Sequence, residues 1–494
     1  MRSPSRPEPA RPATARSSSS PSNTRCACER ARPATTRSRR ADTGQPGNTI
    51  VRLLSTLSGA GSALLFATAP TFALDTTAPA SLPVAEIATG FDRGDTAWML
   101  TSSLLVLFMI LPGLALFYGG LVRAKNMLSV LMQCTVITSV VMLVYVAYGY
   151  SMTFGDADSL FWGGLGKAFL AGVTPDSMTD AIPELVFVAF QMTFACITPA
   201  LIVGGFAERM RFPAVVLFTV LWVTFVYFPV AHMAWDPHGL FFRMGVMDFA
   251  GGTAVEINSG VAALVGALLI GPRIGYREEA MAPHSMTLTV AGASILWVGW
   301  FGFNAGSARA ANGIAALAMI NTFVGAASAI ITWAGLEALL RGRASILGAA
   351  SGMVIGAVAV TPAAGYVGPM GAIVLGAVTA GSGYFFVQVV KERLGYDDSL
   401  DVFGIHGIGG VVGTVLTGVF ASRSLGGMGY AEGVTMAGQV MAQIEAALIT
   451  ALWCGVGSYL LYAFVDRVIG LRVAPETERT GLDLVEHGER AYVF

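Results

Sequence analysis

The sequence predicts an all-α membrane protein of eleven transmembrane helices, a 5+5 inverted repeat plus an eleventh helix, with the N-terminus outside and the C-terminus in the cytoplasm. Three observations carry this expectation. The 494 residues are 54% hydrophobic and 12% charged, with 59 glycines, a balance no soluble domain of this length needs. Apolar stretches of about 20 residues, each able to cross ~30 Å of hydrocarbon as a helix, recur along the chain. A motif in the first stretch returns in the sixth, five spans later.

In chain order the apolar stretches fall at 96–120, 127–150, 183–207, 213–232, 252–271, 284–303, 313–340, 345–361, 366–390, 403–420 and 436–465. Their flanking basic residues set the orientation, because cytoplasmic loops carry the excess of Lys and Arg. Arg123, Lys125, Arg209, Arg211, Arg273, Arg277, Arg341, Arg343, Lys391, Arg393, Arg467 and Arg472 fall on one side; Lys167, Arg243, Arg309 and Arg423 fall on the other. The richer side is therefore read as cytoplasmic, in a plasma or inner membrane.

The chain divides at its ends. Residues 1–50 are rich in Arg, Ser, Pro and Thr and cannot build a core, so they read as a disordered leader or an over-extended translation start. Residues 51–73 read as a signal peptide, with Arg52, a weakly apolar run and the small-residue site Thr71-Phe72-Ala73. An organelle transit peptide is the alternative. Residues 91–466 form the membrane domain, and 467–494 a charged cytoplasmic tail. Among the cysteines, Cys134, Cys196 and Cys454 lie in separate spans without metal-ligand spacing, so neither a disulfide nor a metal site is expected. No cofactor, ATP-binding motif or nucleic-acid partner is expected either.

The repeat pairs LPGLALFYGGLVRAKN (111–126) with WVGWFGFNAGSARAAN (297–312) at an offset of 186 residues. Gly113/Gly299, Phe117/Phe303, Gly120/Gly306, Arg123/Arg309, Ala124/Ala310 and Asn126/Asn312 coincide. Five spans separate the copies, an odd number, so one runs inward and the other outward. In that architecture substrate sites lie near the midplane between the halves.

The same logic pairs the fifth span with the tenth. Aligning Glu256 in AVEINSGVAALVGALLIG with His406 in VFGIHGIGGVVGTVLTGVF also aligns Gly260 with Gly410 and Val261 with Val411. An ionised group at mid-bilayer costs roughly 2.5 to 3.5 kcal/mol on insertion scales, so such residues face a pore and mark function. Glu256 and His406 are thus predicted to meet at the centre; the bland alternative is a Glu256 that bonds backbone inside a helix.

With these residues in view, the chain resembles the ammonium transporter family (Amt, methylammonium permease, Rh). LPGLALFYGGLVRAKN, AFQMTFACITPALIVGGFAERMRF, DFAGGT, GWFGFNAGSA and DVFGIHGIGG are similar to the family's hallmark blocks, in family order, over about 91–490. The resemblance implies a lipid-embedded homotrimer whose subunits each hold a narrow pore for ammonium and methylammonium. It also implies that the tail packs under the trimer, where relatives meet a trimeric PII signal protein.

Ammonium differs from potassium in its four N–H donors and its removable proton. A selective path needs π faces and a hydroxyl acceptor at its mouth, then a dry passage with a proton acceptor. By resemblance, Phe190, Trp235, Ser307 and Asp248 belong to the outer substrate site, and Phe194 and Phe303 to a phenyl gate. A cation over an aromatic face gains about 0.5 to 2 kcal/mol, according to its desolvation. Phe190 and Phe194, at i and i+4, share a helical face. Asp248, ahead of the fifth span, also reads as a helix N-cap; the resemblance implies that it shapes the site without entering the pore. Asp401, before the tenth span, reads as structural.

The sequence departs from the family's pair of pore histidines. His406 matches the second, whereas Glu256 stands at the first. A carboxylate beside an imidazole favours the imidazolium, and the two titrate as one coupled unit. The pair can still relay a proton, which makes the expected transport electrogenic and shifts its pH dependence. His232, His238, His284 and His487 read as solvated, capping or vestibular. The rival function is an ammonium sensor; with about 28 residues beyond the last span, it would signal through the cytoplasmic face rather than through a fused domain. An intramembrane enzyme would need a nucleophile or metal cluster near His406, and the sequence offers none there.

Overall fold

A computed structural model of the chain describes residues 90–493, so the expected leader (1–50) and signal segment (51–73) lie outside the described residues. Eleven apolar helices follow in order: α1 Arg93–Leu121, α2 Ala124–Phe154, α3 Glu184–Phe206, α4 Phe212–Arg243, α5 Gly252–Ile270, α6 Met286–Gly306, α7 Gly313–Arg341, α8 Ile346–Val360, α9 Pro369–Leu394, α10 Phe403–Phe420 and α11 Met436–Ile469. Ten of them are long and apolar enough to cross a membrane, which makes this a multi-pass membrane protein. The exception is α8. Its 15 residues rise about 22 Å at 1.5 Å each, short of the ~30 Å hydrocarbon core. Ser345 caps its start, accepting the Gly348 N–H, and Thr361-Pro362 turns the chain out of helix. The predicted span 345–361 is thus a helix of less than full span, packed against α7 and α9.

Most helices are apolar all round, as befits elements between lipid and protein core. They pack closely where the repeated glycines lie. A Cβ on Gly113 of α1 would fall 3.1 Å from the Ile295 Cγ2 of α6, and one on Gly299 of α6 would fall 2.2 Å from the Met109 Cβ of α1. Residues 109 and 113 sit 186 before 295 and 299, so the two contacts are images of each other. The α5/α10 contact has the same form at an offset of 150. A Cβ on Gly260 would meet the Gly407 nitrogen at 2.2 Å, and one on Gly410 would meet the Ile257 nitrogen at 2.9 Å. Small residues at these points let helix backbones approach directly.

One face of the bundle is tied by buried ion pairs. Glu208 lies between Arg123 and Arg273, whose guanidinium also forks onto Asp397 with two contacts of 2.9 Å. Arg209 is buried and donates to the carbonyls of Gly271 (2.8 Å) and Asp397 (2.6 Å). The tail docks on this basic face through α12 Pro475–Thr480 and α13 Leu482–His487. Asp483 accepts the Ser129 and Leu128 N–H groups at 2.8 and 3.0 Å, and Glu486 accepts the Phe212 N–H at 2.8 Å. Glu478 accepts the Ile274 N–H at 2.7 Å and the Arg472 guanidinium at 2.9 Å. The helix starts of α2 and α4, which carry unsatisfied N–H groups, are thereby capped from the other end of the sequence.

Candidate functional site

Two helices that begin in the same way carry the central pair. Ahead of α5, Gly251 takes a left-handed conformation (φ 112°) that lets the chain fold back over Asp248. The Asp248 carboxylate accepts the N–H groups of Gly251 (2.8 Å), Gly252 (2.6 Å) and Thr253 (2.8 Å), and also the Thr253 hydroxyl. A wide π turn, Gly252–Ile257, follows and presents Glu256. Ahead of α10, Asp398 accepts the Phe403 N–H at 2.8 Å, and a second π turn, Phe403–Gly407, presents His406. Such single π turns re-aim a side chain within a helix.

The structure brings Glu256 and His406 together. His406 Nδ1 lies 2.6 Å from Glu256 Oε2, with both residues buried. One proton lies between the two atoms: either the imidazole N–H donates to a carboxylate, or the carboxylic O–H donates to the imidazole. At this length the bond has charge-assisted character. Both groups border a narrow cavity of about 10 Å³, room for about one water molecule. Its other walls are Met109, Leu114, Phe117, Ile197, Leu201, Val255, Leu296, Trp300, Phe303 and Val354. None of these ten offers a free polar group, because the Trp300 indole N–H is held by the Thr361 hydroxyl at 2.9 Å.

Aromatic rings close one end of this lumen. The rings of Phe194 and Phe303 stack with centroids 4.0 Å apart and planes 15° apart. Phe190 leans on Phe194 at 4.9 Å, one helical turn along α3, and Trp235 meets Phe194 edge-on at 5.7 Å. A Cβ on Gly306 would fall 2.8 Å from the Phe190 ring, which places that ring beside the turn bearing Ser307. The Ser307 hydroxyl donates to the Phe303 carbonyl at 2.9 Å. Asp248 stands behind this group: its carbonyl accepts the Trp235 indole N–H at 3.1 Å, while its carboxylate is taken up by the α5 cap. Phe190, Phe194, Trp235, Phe303 and Ser307 thus form one cluster, and Asp248 supports it from outside.

The remaining histidines stand apart. His232 is fully buried rather than vestibular, its ring nitrogens each 2.8 Å from a carbonyl, those of Thr153 and Ser159. His238 pairs with Asp236 at 3.0 Å, and His284 bonds the Val122 carbonyl and the Tyr492 hydroxyl. Asp401 pairs with Lys391 at 2.6 Å. Two residues escaped the sequence reading. Trp300 lies three positions before Phe303 and so shares its helix face, a signal present in the i, i+3 spacing. Asp398 lies 150 residues after Asp248, the same offset that pairs Glu256 with His406.

Fold and cavity together define a polytopic helical membrane protein with an apolar, partly aromatic cavity where its α5 and α10 helices touch. Comparison with known proteins gives the particular family. The Ammonium Transporter Family model matches residues 97–492. The Aquifex aeolicus protein named "Ammonium transporter" is 47% identical over 407 residues, covering 81% of this chain and 94% of the relative. Its Bacillus subtilis namesake is 43% identical, over 81% of this chain and 98% of the relative. The crystal structure of Candida albicans Mep2 aligns with a TM-score of 0.74 at 34% identity, over 81% of this chain and 91% of that one. A solved "Sensor Amt Protein" aligns with a TM-score of 0.75 at 28% identity, over 80% and 98% of the two chains. The chain belongs to the ammonium transporter family.

Proposed function

We propose that this protein transports ammonium, and methylammonium, through the lumen of each subunit. Relatives at 42 to 47% identity that carry the name ammonium transporter support the substrate. Phe190, Trp235 and Ser307, braced by Asp248, receive the cation at the outer mouth; Phe194 and Phe303 gate the lumen. The ion then loses its proton, because a cavity with ten apolar walls solvates neutral ammonia far better than a cation. Glu256 and His406 carry that proton separately, so the transport is electrogenic. The observation behind this reading is the 2.6 Å Glu256–His406 contact inside an otherwise apolar cavity.

The same reading takes the basic face as cytoplasmic, the N-terminus as external, and the eleven helices as a 5+5 inverted repeat with α11 added. The reciprocal glycine contacts of α1/α6 and α5/α10 support the repeat. A homotrimer, with the tail and a PII-type partner on the basic face, completes it. Uptake of labelled methylammonium by cells lacking their own carriers tests the reading, with and without collapse of the membrane potential. Potential-dependent uptake is expected. Ammonium binding without uptake would instead select the sensor reading, which the likeness to the "Sensor Amt Protein" keeps in play.

A further inference from the structure

The two helix-capping aspartates are pseudo-symmetry mates, yet their surroundings differ. Asp248 has both carboxylate oxygens engaged, Oδ1 by the Gly251 and Gly252 N–H groups and Oδ2 by the Thr253 N–H and the Thr253 hydroxyl. At Asp398 the Phe403 N–H takes Oδ2, without the second donor that the Thr253 hydroxyl supplies there. Asp398 Oδ1 is buried and has no hydrogen-bond partner among the described residues. Its loop packs against α3, close to the cavity wall Leu201. The Leu400 N–H donates to the Gly204 carbonyl at 3.0 Å, and a Cβ on Gly204 would meet both Val402 (2.5 Å) and the Tyr118 hydroxyl (3.0 Å). That hydroxyl in turn donates to the carbonyl of Leu201, a cavity wall. The carboxylate thus caps the turn that carries His406, holding the Phe403 N–H three residues before it.

We propose that Asp398 is the acid that rebuilds ammonium at the inner end of the lumen. The inference rests on the proton-relay reading above. Ammonia arriving below the cavity takes the proton of the carboxylic O–H: that bond breaks, a fourth N–H bond forms, and ammonium leaves across the basic face. The resulting carboxylate recovers a proton released by the Glu256–His406 pair through intervening water. Ammonia is the stronger base, so the transfer runs downhill. The groups facing Asp398 fit the role. Burial pushes its carboxyl up, to about 6, with the neighbouring Asp401 acting the same way; Lys391 and the N–H groups of Phe403 and Val402 pull it down. Tyr396, near Asp398, is itself pushed up by burial and by its charge. Asp397 points away, onto Arg273.

Asp398→Asn keeps an oxygen for the Phe403 N–H and places a non-titrating amide at Oδ1. Ammonium-evoked currents are recorded in whole cells while cytosolic pH is varied. The wild type is expected to show an inflection near pH 6 on the cytosolic side; in Asp398→Asn the current falls at least tenfold at neutral cytosolic pH and the inflection disappears. Wild-type currents in a folded Asp398→Asn overturn the proposal, and so does a loss that is equal at every cytosolic pH. Should Asp398→Asn fail to reach the membrane, Phe403→Thr decides. It supplies the hydroxyl that Asp248 has and should move the inflection to lower pH; an unmoved inflection overturns the proposal. A wild type with no ammonium-evoked current at all overturns the electrogenic reading instead.

Discussion

At the scale of single residues, the proposed proton relay depends on the 2.6 Å contact between Glu256 and His406. Glu256→Gln keeps a hydrogen-bond partner for the imidazole but removes the charge and the ability to accept a proton. A positioned acid–base group contributes roughly 10² to 10⁴ in rate, so methylammonium uptake should fall by about 10²-fold with the protein still folded; near-normal uptake would remove Glu256 from the relay. Glu256→His restores two neutral imidazoles and should keep transport while changing the dependence of current on pH. Identical current–pH profiles in that variant and the wild type would count against any relay through Glu256. Phe303 poses a separate question, selectivity. Its ring stacks on Phe194 at 4.0 Å, a contact worth about 0.5 to 1.5 kcal/mol beyond its burial. Phe303→Ala opens a gap through which hydrated cations can follow ammonium, so potassium should compete with methylammonium uptake in that variant and not in the wild type.

At the scale of helices, function depends on how closely α5 and α10 approach. Gly260 and Gly410 hold the crossing, where an added Cβ would lie 2.2 Å and 2.8 Å from atoms of the opposite helix. Gly260→Val cannot be absorbed by a flexible side chain, because its nearest neighbour is the backbone of Gly407. The helices must part, and the Glu256–His406 contact with them. Uptake should therefore be lost in Gly260→Val although both polar residues are intact, and the melting midpoint should drop; normal uptake would show that the pair need not touch. These helices also show what the sequence could and could not reveal. Spans such as α3 and α7 were plain from apolar length, and the partnership of Glu256 with His406 from the offset of 150. The short α8 was legible too, since its apolar run 345–361 is filled by the helix 346–360 between Ser345 and Thr361. The π turns that aim Glu256 and His406 were hidden, since an extra residue in one turn leaves no mark in hydrophobic periodicity. The partner-free Oδ1 of Asp398 became visible only in the folded loop, where the Phe403 N–H goes to the other oxygen.

At the scale of the whole molecule, the basic face binds both halves and the tail into one cooperative unit, and its response to pH follows from carboxylates of opposite tendency. Burial pushes Glu208 up, but Arg273 and Arg123 outweigh it and hold the carboxyl below its usual range; Asp397 is held down likewise by Arg209 and Arg273 against its burial. Their stabilisation is present above the unfolded value of roughly 4 and is lost as pH falls through the lower folded value. Asp398 behaves in the opposite sense. Raised to about 6, it binds a proton in the native state before it would in the unfolded chain, so its contribution weakens as pH rises from the unfolded value to about 6. The melting midpoint in detergent should therefore rise slightly as pH falls from 7 towards 5, then drop steeply below about 4. Asp398→Asn should abolish the rise alone. Glu208→Gln should lower the midpoint at neutral pH, because Arg123 and Arg273 are left facing a neutral amide, and should flatten the acid drop. Tail variants address capping: Asp483→Ala and Glu486→Ala, which uncap α2 and α4, should each cost about 1 kcal/mol at neutral pH. An acid limb unchanged in Glu208→Gln would mean that the buried pairs on this face do not govern the acid stability of the fold.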